Sequence, residues 1–172
     1  MSWNSDPARV PSYARPQVML HWLIAALVLA QWFSADAMED FFERYEDMGP
    51  PGFPDGSAIF HAGGGATILV LMILRIGARL RFGAPPLPAD LPRSLALAAH
   101  LNHYAFYAVL ILMPLTGVGA LFVTTESADL HELLKTLLLL LIAAHVLGAA
   151  FHAFVRRDGV IWRMLSWRRN TR

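Results

Sequence analysis

The sequence predicts an all-α fold: an integral-membrane four-helix bundle with both termini in the cytoplasm. Three observations predict it. Only 16% of the 172 residues are charged, against roughly 25% in soluble domains. The mean hydropathy is positive, at +0.44. The apolar residues also gather into four blocks, each long enough to cross a bilayer at about 1.5 Å per helical residue. So much apolar surface exceeds what one small core can bury, which argues against a soluble globular enzyme. It argues equally against a disordered or nucleic-acid-binding protein, despite a pI near 8.3. The lipid bilayer is the first expected partner, and nucleic acid is not one.

The first span is expected over 16–37. It is too long for a cleavable signal peptide, lacks a small-residue cleavage pattern and carries His21 and Gln31. The second is expected over 58–79, closing on Arg75 and Arg79, and the third over 95–123, opening on His100 and His103 and holding Pro114. The fourth covers 130–154. Between the first two lies an acidic connection, 38–57, ending in Pro50-Pro51-Gly52-Phe53-Pro54, which cannot continue a helix. The 80–94 stretch holds Pro85, Pro86, Pro88 and Pro92 and reads as extended. A short link, 124–129, makes the last two spans antiparallel neighbours. Neither a repeat nor a second domain is evident, so residues 1–172 read as one domain.

Charge orients the bundle. Of the 14 basic residues, Arg9, Arg15, Arg75, Arg79, Arg81, Arg93, Arg156, Arg157, Arg163, Arg168, Arg169 and Arg172 lie in or beside the two tails and the 80–94 connection. The opposite end holds Arg44 and Lys135 among Asp36, Glu39, Asp40, Glu43, Glu46, Asp47, Asp55, Glu126, Asp129 and Glu132. The positive-inside rule places the basic end in the cytoplasm. Trp22, Trp162 and Trp167 belong at the same interface, where indole is favoured.

There is no cysteine. That removes disulfides, iron–sulfur clusters, thiolate zinc sites and covalent c-type haem. Seven histidines remain, all in or at the edge of the apolar blocks. Ionisable groups at membrane depth cost a few kcal/mol on insertion scales, roughly 2.5–3.5 for the charged residues, and usually carry a function or a partner. Imidazoles on facing helices of a bundle hold metals or haem, and without cysteine a haem is non-covalent, hence b-type.

Spacing on the fourth span sharpens this. His131 and His145 are 14 residues apart, about 21 Å along a helix with a net rotation of about 40°, so they share a face at two depths. His61 matches the depth of His131. His21 lies in the half of the membrane that holds His145, but His152, one heptad beyond, fits that level equally well, and His100 and His103 are on that side too. Spacing therefore defines two sites and leaves one ligand open.

Blander readings stand beside these. His100 suits a polar residue at the headgroup level, and His131 alone suits solvation at a helix N-terminus. The run Gly63-Gly64-Gly65 after His61, and Gly148 after His145, suit either a flat macrocycle or close helix packing. Arg75 and Arg79 suit either pairing with haem propionates or snorkelling to the interface. A non-haem iron or zinc enzyme would need carboxylates beside the histidines, and the inner halves of the spans hold none.

The sequence resembles the bacterial cytochrome b561 family, within the wider group of di-haem membrane cytochrome b subunits of hydrogenases and formate dehydrogenases. The residues that carry the resemblance are Met19-Leu20-His21-Trp22-Leu23, then His61 with Ile68 to Arg75, Arg79 and Pro85-Pro86. After them come Ala99-His100-Leu101-Asn102-His103 with Pro114 and Gly117, and finally His131-Glu132, His145 and His152. The resemblance implies a multi-pass protein of the bacterial inner membrane with two non-covalent b haems, bound by His21, His61, His131 and His145. It selects His145 over His152. His103 and His152 are thereby released for a quinone pocket at the inner face, ubiquinone in some members, where a histidine delivers a proton.

The function implied is electron transfer between a periplasmic-side donor, superoxide in some relatives, and membrane quinone. The alternative is a haem-bearing anchor or relay subunit serving a partner cytochrome or oxidoreductase. One departure bears on the donor. Superoxide is an anion, whereas the expected outer segments are strongly acidic, with Lys135 the one cation near His131. The link between the last two spans is also shorter than expected of superoxide-oxidising relatives.

Overall fold

A computed structural model of the chain describes residues 12–45 and 48–165. Arg9, Glu46, Asp47, Trp167, Arg168, Arg169 and Arg172 fall outside these. The described residues are helical, with no strand among them: α1 (Arg15–Phe33), α2 (Ala35–Glu43), α3 (Ala58–Phe82), α4 (Arg93–Phe122), α5 (Glu126–Ala150), a π-helical turn (Phe151–Arg156) and α6 (Trp162–Leu165). Four helices, counting α5 with its π turn as one, are long and apolar enough to cross a membrane.

Their surfaces reverse the pattern of a soluble protein. Leu29, Ile73, Leu140 and Leu147 are each about two-thirds exposed along the outward faces, as lipid-facing residues are and as water would penalise. The buried core is a narrow column at mid-bundle: Ile24, Ile68, Met72, Val109, Leu110, Leu134 and Leu138. On α5, Leu134 and Leu138 of this column fall between His131 and His145.

Several element boundaries depart from the sequence reading. The first span stops at Phe33, because Ser34 turns the chain (φ −104°, ψ 2°) and its hydroxyl bonds the Gln31 carbonyl at 3.2 Å. Residues 35–43, expected to be partly span and partly connection, form α2. Its Phe41 is 1% exposed and packs with Ala58 and Leu121, while Asp36, Glu39, Asp40 and Glu43 face outward, giving an amphipathic helix laid across the bundle end. The chain joining the last two spans is also shorter than expected, since α5 already begins at Glu126. In the proline-rich connection, α3 runs on to Phe82, and α4 starts at Arg93 directly after Pro92. Only 83–88 is extended.

At the terminal end, the 5% exposed Gln17 bonds the Gly83 carbonyl (2.8 Å) and receives the Ala14 amide on Oε1 (3.0 Å), tying α1 to the end of α3. Trp22 Nε1 donates to the Met164 carbonyl at 2.9 Å, fastening α6 against α1. Trp22 and Trp162 thus share one end of the bundle, as read from the sequence.

Candidate functional site

Packing sets the frame. α4 lies along α5, α1 along α3, and α3 along α4, whereas α5 makes at most slight backbone contact with α1 and α3. Across those two gaps the histidines face each other. The His61 (α3) and His131 (α5) rings are 6.2 Å apart between centroids, with an interplanar angle of 62°. His21 (α1) and His145 (α5) are 6.1 Å apart at 60°. All four side chains are half-buried.

At the acidic end, each ring is held by its Nδ1. His131 Nδ1 donates to the Met113 carbonyl at 2.9 Å, with Thr116 Oγ1 at 3.3 Å. A carbonyl only accepts, so the proton is on Nδ1 and Nε2 keeps its lone pair. His61 Nδ1 lies 3.2 Å from Ser34 Oγ. The same hydroxyl lies 3.2 Å from the Gln31 carbonyl, and a hydroxyl both donates and accepts, so it holds the His61 ring by its Nδ1 in either tautomer. Gln31 Nε2 donates to the His61 carbonyl at 2.8 Å.

The glycine run acquires a partial reason here. A Cβ on Gly64 would come within 2.5 Å of Gln31 Oε1, whereas one on Gly63 would meet nothing within 4 Å. Gly64 therefore makes room for Gln31, which is the helix-packing reading. Gly148 likewise faces open space. Gly117 lies against the His131 ring, 3.5 Å from a Cβ built on it.

The terminal-end pair is framed differently. Arg75 Nη1 donates to the Gln17 carbonyl (3.0 Å), and Nη2 lies 3.3 Å from His21 Nδ1. Guanidinium has no acceptor, so in this arrangement it is the lone pair of His21 Nδ1 that faces it. His145 is flanked by the His103 ring at 5.4 Å and the Phe106 ring at 5.6 Å. Arg79 follows Arg75 by one turn and is half-buried.

The structure brings His145, not His152, to His21. His103 is exposed, bonds the Ala99 carbonyl one turn back (2.6 Å) and reaches the same cluster through His145. His152 is turned to the following loop, where Nδ1 meets Asp158 Oδ2 at 2.6 Å. His100 is exposed near the start of α4. Lys135 is bound to Glu132 one turn back, 2.7 Å from its Oε1, so its charge near His131 is partly neutralised. Among the described residues, no three His, Asp or Glu side chains converge as a metal-ion site.

The partners Ser34, Met113, Thr116, Gln17 and Asp158 escaped the sequence reading, in which Gln31 stood only as a polar residue of the first span. Serine, threonine and glutamine in apolar helices were the available signal. A backbone carbonyl leaves none.

The model of the prokaryotic cytochrome b561 family matches residues 12–167. The chain belongs to this family. Relatives include the "Probable superoxide oxidase CybB" of Yersinia pestis, 29% identical over 180 residues and covering 91% of this chain and 97% of the relative. "Cytochrome b562" of Cereibacter sphaeroides is 32% identical, covering 90% and 96%. "Cytochrome b561 homolog 1" of Escherichia coli is 25% identical, covering 91% and 98%. This cytochrome b561 is accordingly a haem b protein and a multi-pass protein of the bacterial inner membrane.

The facing rings fit haem. An iron bound by two imidazole nitrogens at about 2 Å each holds the ring centres about 6 Å apart. Both pairs stand at that separation, across helix pairs that leave space between them.

Proposed function

We propose that this cytochrome carries two b haems, one toward each membrane face, and moves single electrons from a donor at the outer face to membrane quinone at the inner face. The carrying observation is the two imidazole pairs, each about 6 Å between centroids and each bridging helices that are otherwise scarcely packed together. Within this reading, residues 1–172 act as one domain, both termini are cytoplasmic, and His61 and His131 are the axial ligands of the outer haem. His21 and His145 are those of the inner haem.

Haem b supplies a reversible one-electron iron couple when bound. The chain's residues do the rest. Ser34 and the Met113 carbonyl hold the outer imidazoles by Nδ1, and the carbonyl keeps Nε2 of His131 available to a metal. Arg75 and Arg79 bring positive charge to the inner site, suited to the carboxylates of a haem edge. His103 and His152 stand at the inner end as groups able to meet a quinone and exchange a proton with it.

The donor named for the Yersinia relative, superoxide, would have to approach an end that carries Asp36, Glu39, Asp40 and Glu43 on α2 and a paired Lys135. Those exposed acids favour a second reading of the same bundle, as a haem-bearing anchor or relay that docks a basic partner cytochrome. Haem assay and reduced-minus-oxidised spectra of the detergent-purified protein test the first reading. Two haems per chain are expected; a colourless protein or one haem per chain overturns it. Parallel assays with superoxide, quinol and an added cytochrome as reductants separate the donors.

A further inference from the structure

Beyond α5 lies a cluster that the haem sites do not use. We infer that Asp158 is a positioning residue for His152, fixing the imidazole so that its Nε2 is the atom that exchanges a proton with quinone. The inference rests on the quinone role proposed above for His152.

The backbone is built for this contact. The last turn of α5 opens into a π-helix over Phe151–Arg156, a form that recurs at functional sites. Next comes Arg157 at φ 52° and ψ 37°, the left-handed region that non-glycine residues seldom occupy. This reversal folds Asp158 back over the helix end. Its Oδ2 then sits 2.6 Å from His152 Nδ1 and 3.0 Å from Arg156 Nε, and its Oδ1 accepts the Val160 amide at 3.2 Å. Arg156 Nη2 reaches Asp90 Oδ2 at 2.6 Å.

The chemistry assigns each member. Burial alone would raise the Asp158 carboxyl, but hydrogen bonds from His152, Val160 and Arg156 outweigh it and hold it below the usual carboxylate range. It is therefore ionised and only accepts, so His152 must present Nδ1–H to it. That leaves Nε2 as the exchanging nitrogen, and the carboxylate offsets the charge of the imidazolium. Arg156 cannot be deprotonated, so it is a clamp between two carboxylates rather than a relay. The Asp158 and Arg156 side chains are 13% and 16% exposed, and Asp90 is 79% exposed. His152 keeps 17% of its side-chain surface open, enough to be reloaded from cytoplasmic water. Reducing one quinone to quinol consumes two electrons, supplied singly by the outer-face donor, and two protons. His152 hands over the protons one at a time, each time regaining one from water.

The experiment uses the haem-loaded protein in detergent, chemically reduced and then mixed with a short-chain ubiquinone while the haem bands are followed. With Asp158→Ala, the saturated re-oxidation rate should fall about 10- to 100-fold, the half-saturating quinone concentration should hold, and the haem spectrum should be unchanged. Asp158→Glu should restore most of the rate. Nitrogen NMR of histidine-labelled protein, with or without haem, should show one His152 tautomer, protonated on Nδ1, that becomes a mixture in Asp158→Ala. A full-speed Asp158→Ala beside a slow His152→Ala overturns the role of Asp158 alone. A full-speed His152→Ala overturns the quinone assignment and this role with it. Loss of haem in Asp158→Ala without rescue by glutamate makes the residue purely structural and overturns the inference.

Discussion

The two histidine pairs have nearly the same ring separation and opposite surroundings. At the acidic end, both Nδ1 atoms are hydrogen-bonded, His61 to Ser34 Oγ and His131 to the Met113 carbonyl. At the terminal end, His21 Nδ1 meets a guanidinium donor and His145 is flanked by aromatic rings. Ligation through Nε2 requires the proton on Nδ1, and at the acidic end the Met113 carbonyl secures it for His131. The other pair sits in a field of positive charge, and its Arg75 must give way before His21 can ligate through Nε2. One site is organised by hydrogen bonds and the other by charge. Positive charge stabilises a reduced centre, so the inner haem should hold electrons more firmly. In the two-haem reading proposed above, the gradient would then run from the outer face to the inner.

The widest test of this comparison removes the ligands. His61→Ala and His131→Ala should each cut the haem assay from two per chain to one by emptying the outer site, and His21→Ala and His145→Ala should each empty the inner one. A double substitution within one pair should cost no more haem than either single. Next comes the hydrogen bond that holds His61 by its Nδ1. Ser34→Ala should weaken outer-haem retention about 10- to 100-fold, measured by transfer to an apo-haem acceptor, and leave the inner haem unaffected.

The glycines divide the same end more finely. Gly64→Ala should displace Gln31 and cost its bond to the His61 carbonyl, worth about 1 kcal/mol, an amount that alanine's better helix propensity roughly restores. Outer-haem affinity should therefore fall while thermal stability holds. Gly63→Ala, facing open space, should stabilise the protein by about 1 kcal/mol, seen as a raised unfolding midpoint. At the inner site, Arg75→Leu should lower the haem potential by on the order of tens of millivolts in a redox titration and leave the outer potential in place.

The smallest effect is one of pH. The folded carboxyl of Asp158 titrates below its unfolded value of about 4, so its contribution is complete above that pH and is lost as pH falls through the folded value. Hydrogen exchange at the Val160 amide, corrected for its intrinsic rate, should quicken only in that acid window.

Most of the fold was legible. The four spans were read from block length, and the pairing levels of His21, His61, His131 and His145 from helical spacing and family resemblance. The misreadings were local. α2 was hidden because Phe41 and Met38 are too few to form a block, and a helix lying across the bundle end has no length requirement. His152 was ambiguous because an α-helical projection keeps it on the face of His145. The π turn and the left-handed Arg157 redirect it to Asp158. The triple glycine admitted two readings until Gln31 was seen against Gly64.

The sequence by itself determined that this chain lives in lipid, how many times it crosses and at which heights its imidazoles sit. Those properties depend on residues adjacent in the chain: hydrocarbon thickness sets the span, and 3.6 residues per turn sets the face. Only the tertiary structure decided which nitrogen of His131 is open to a metal, which site meets a guanidinium and which histidine answers to Asp158. Those outcomes turn on side chains and carbonyls within about 3 Å of one another, several of them far apart in the chain, and helical periodicity carries no information on such contacts.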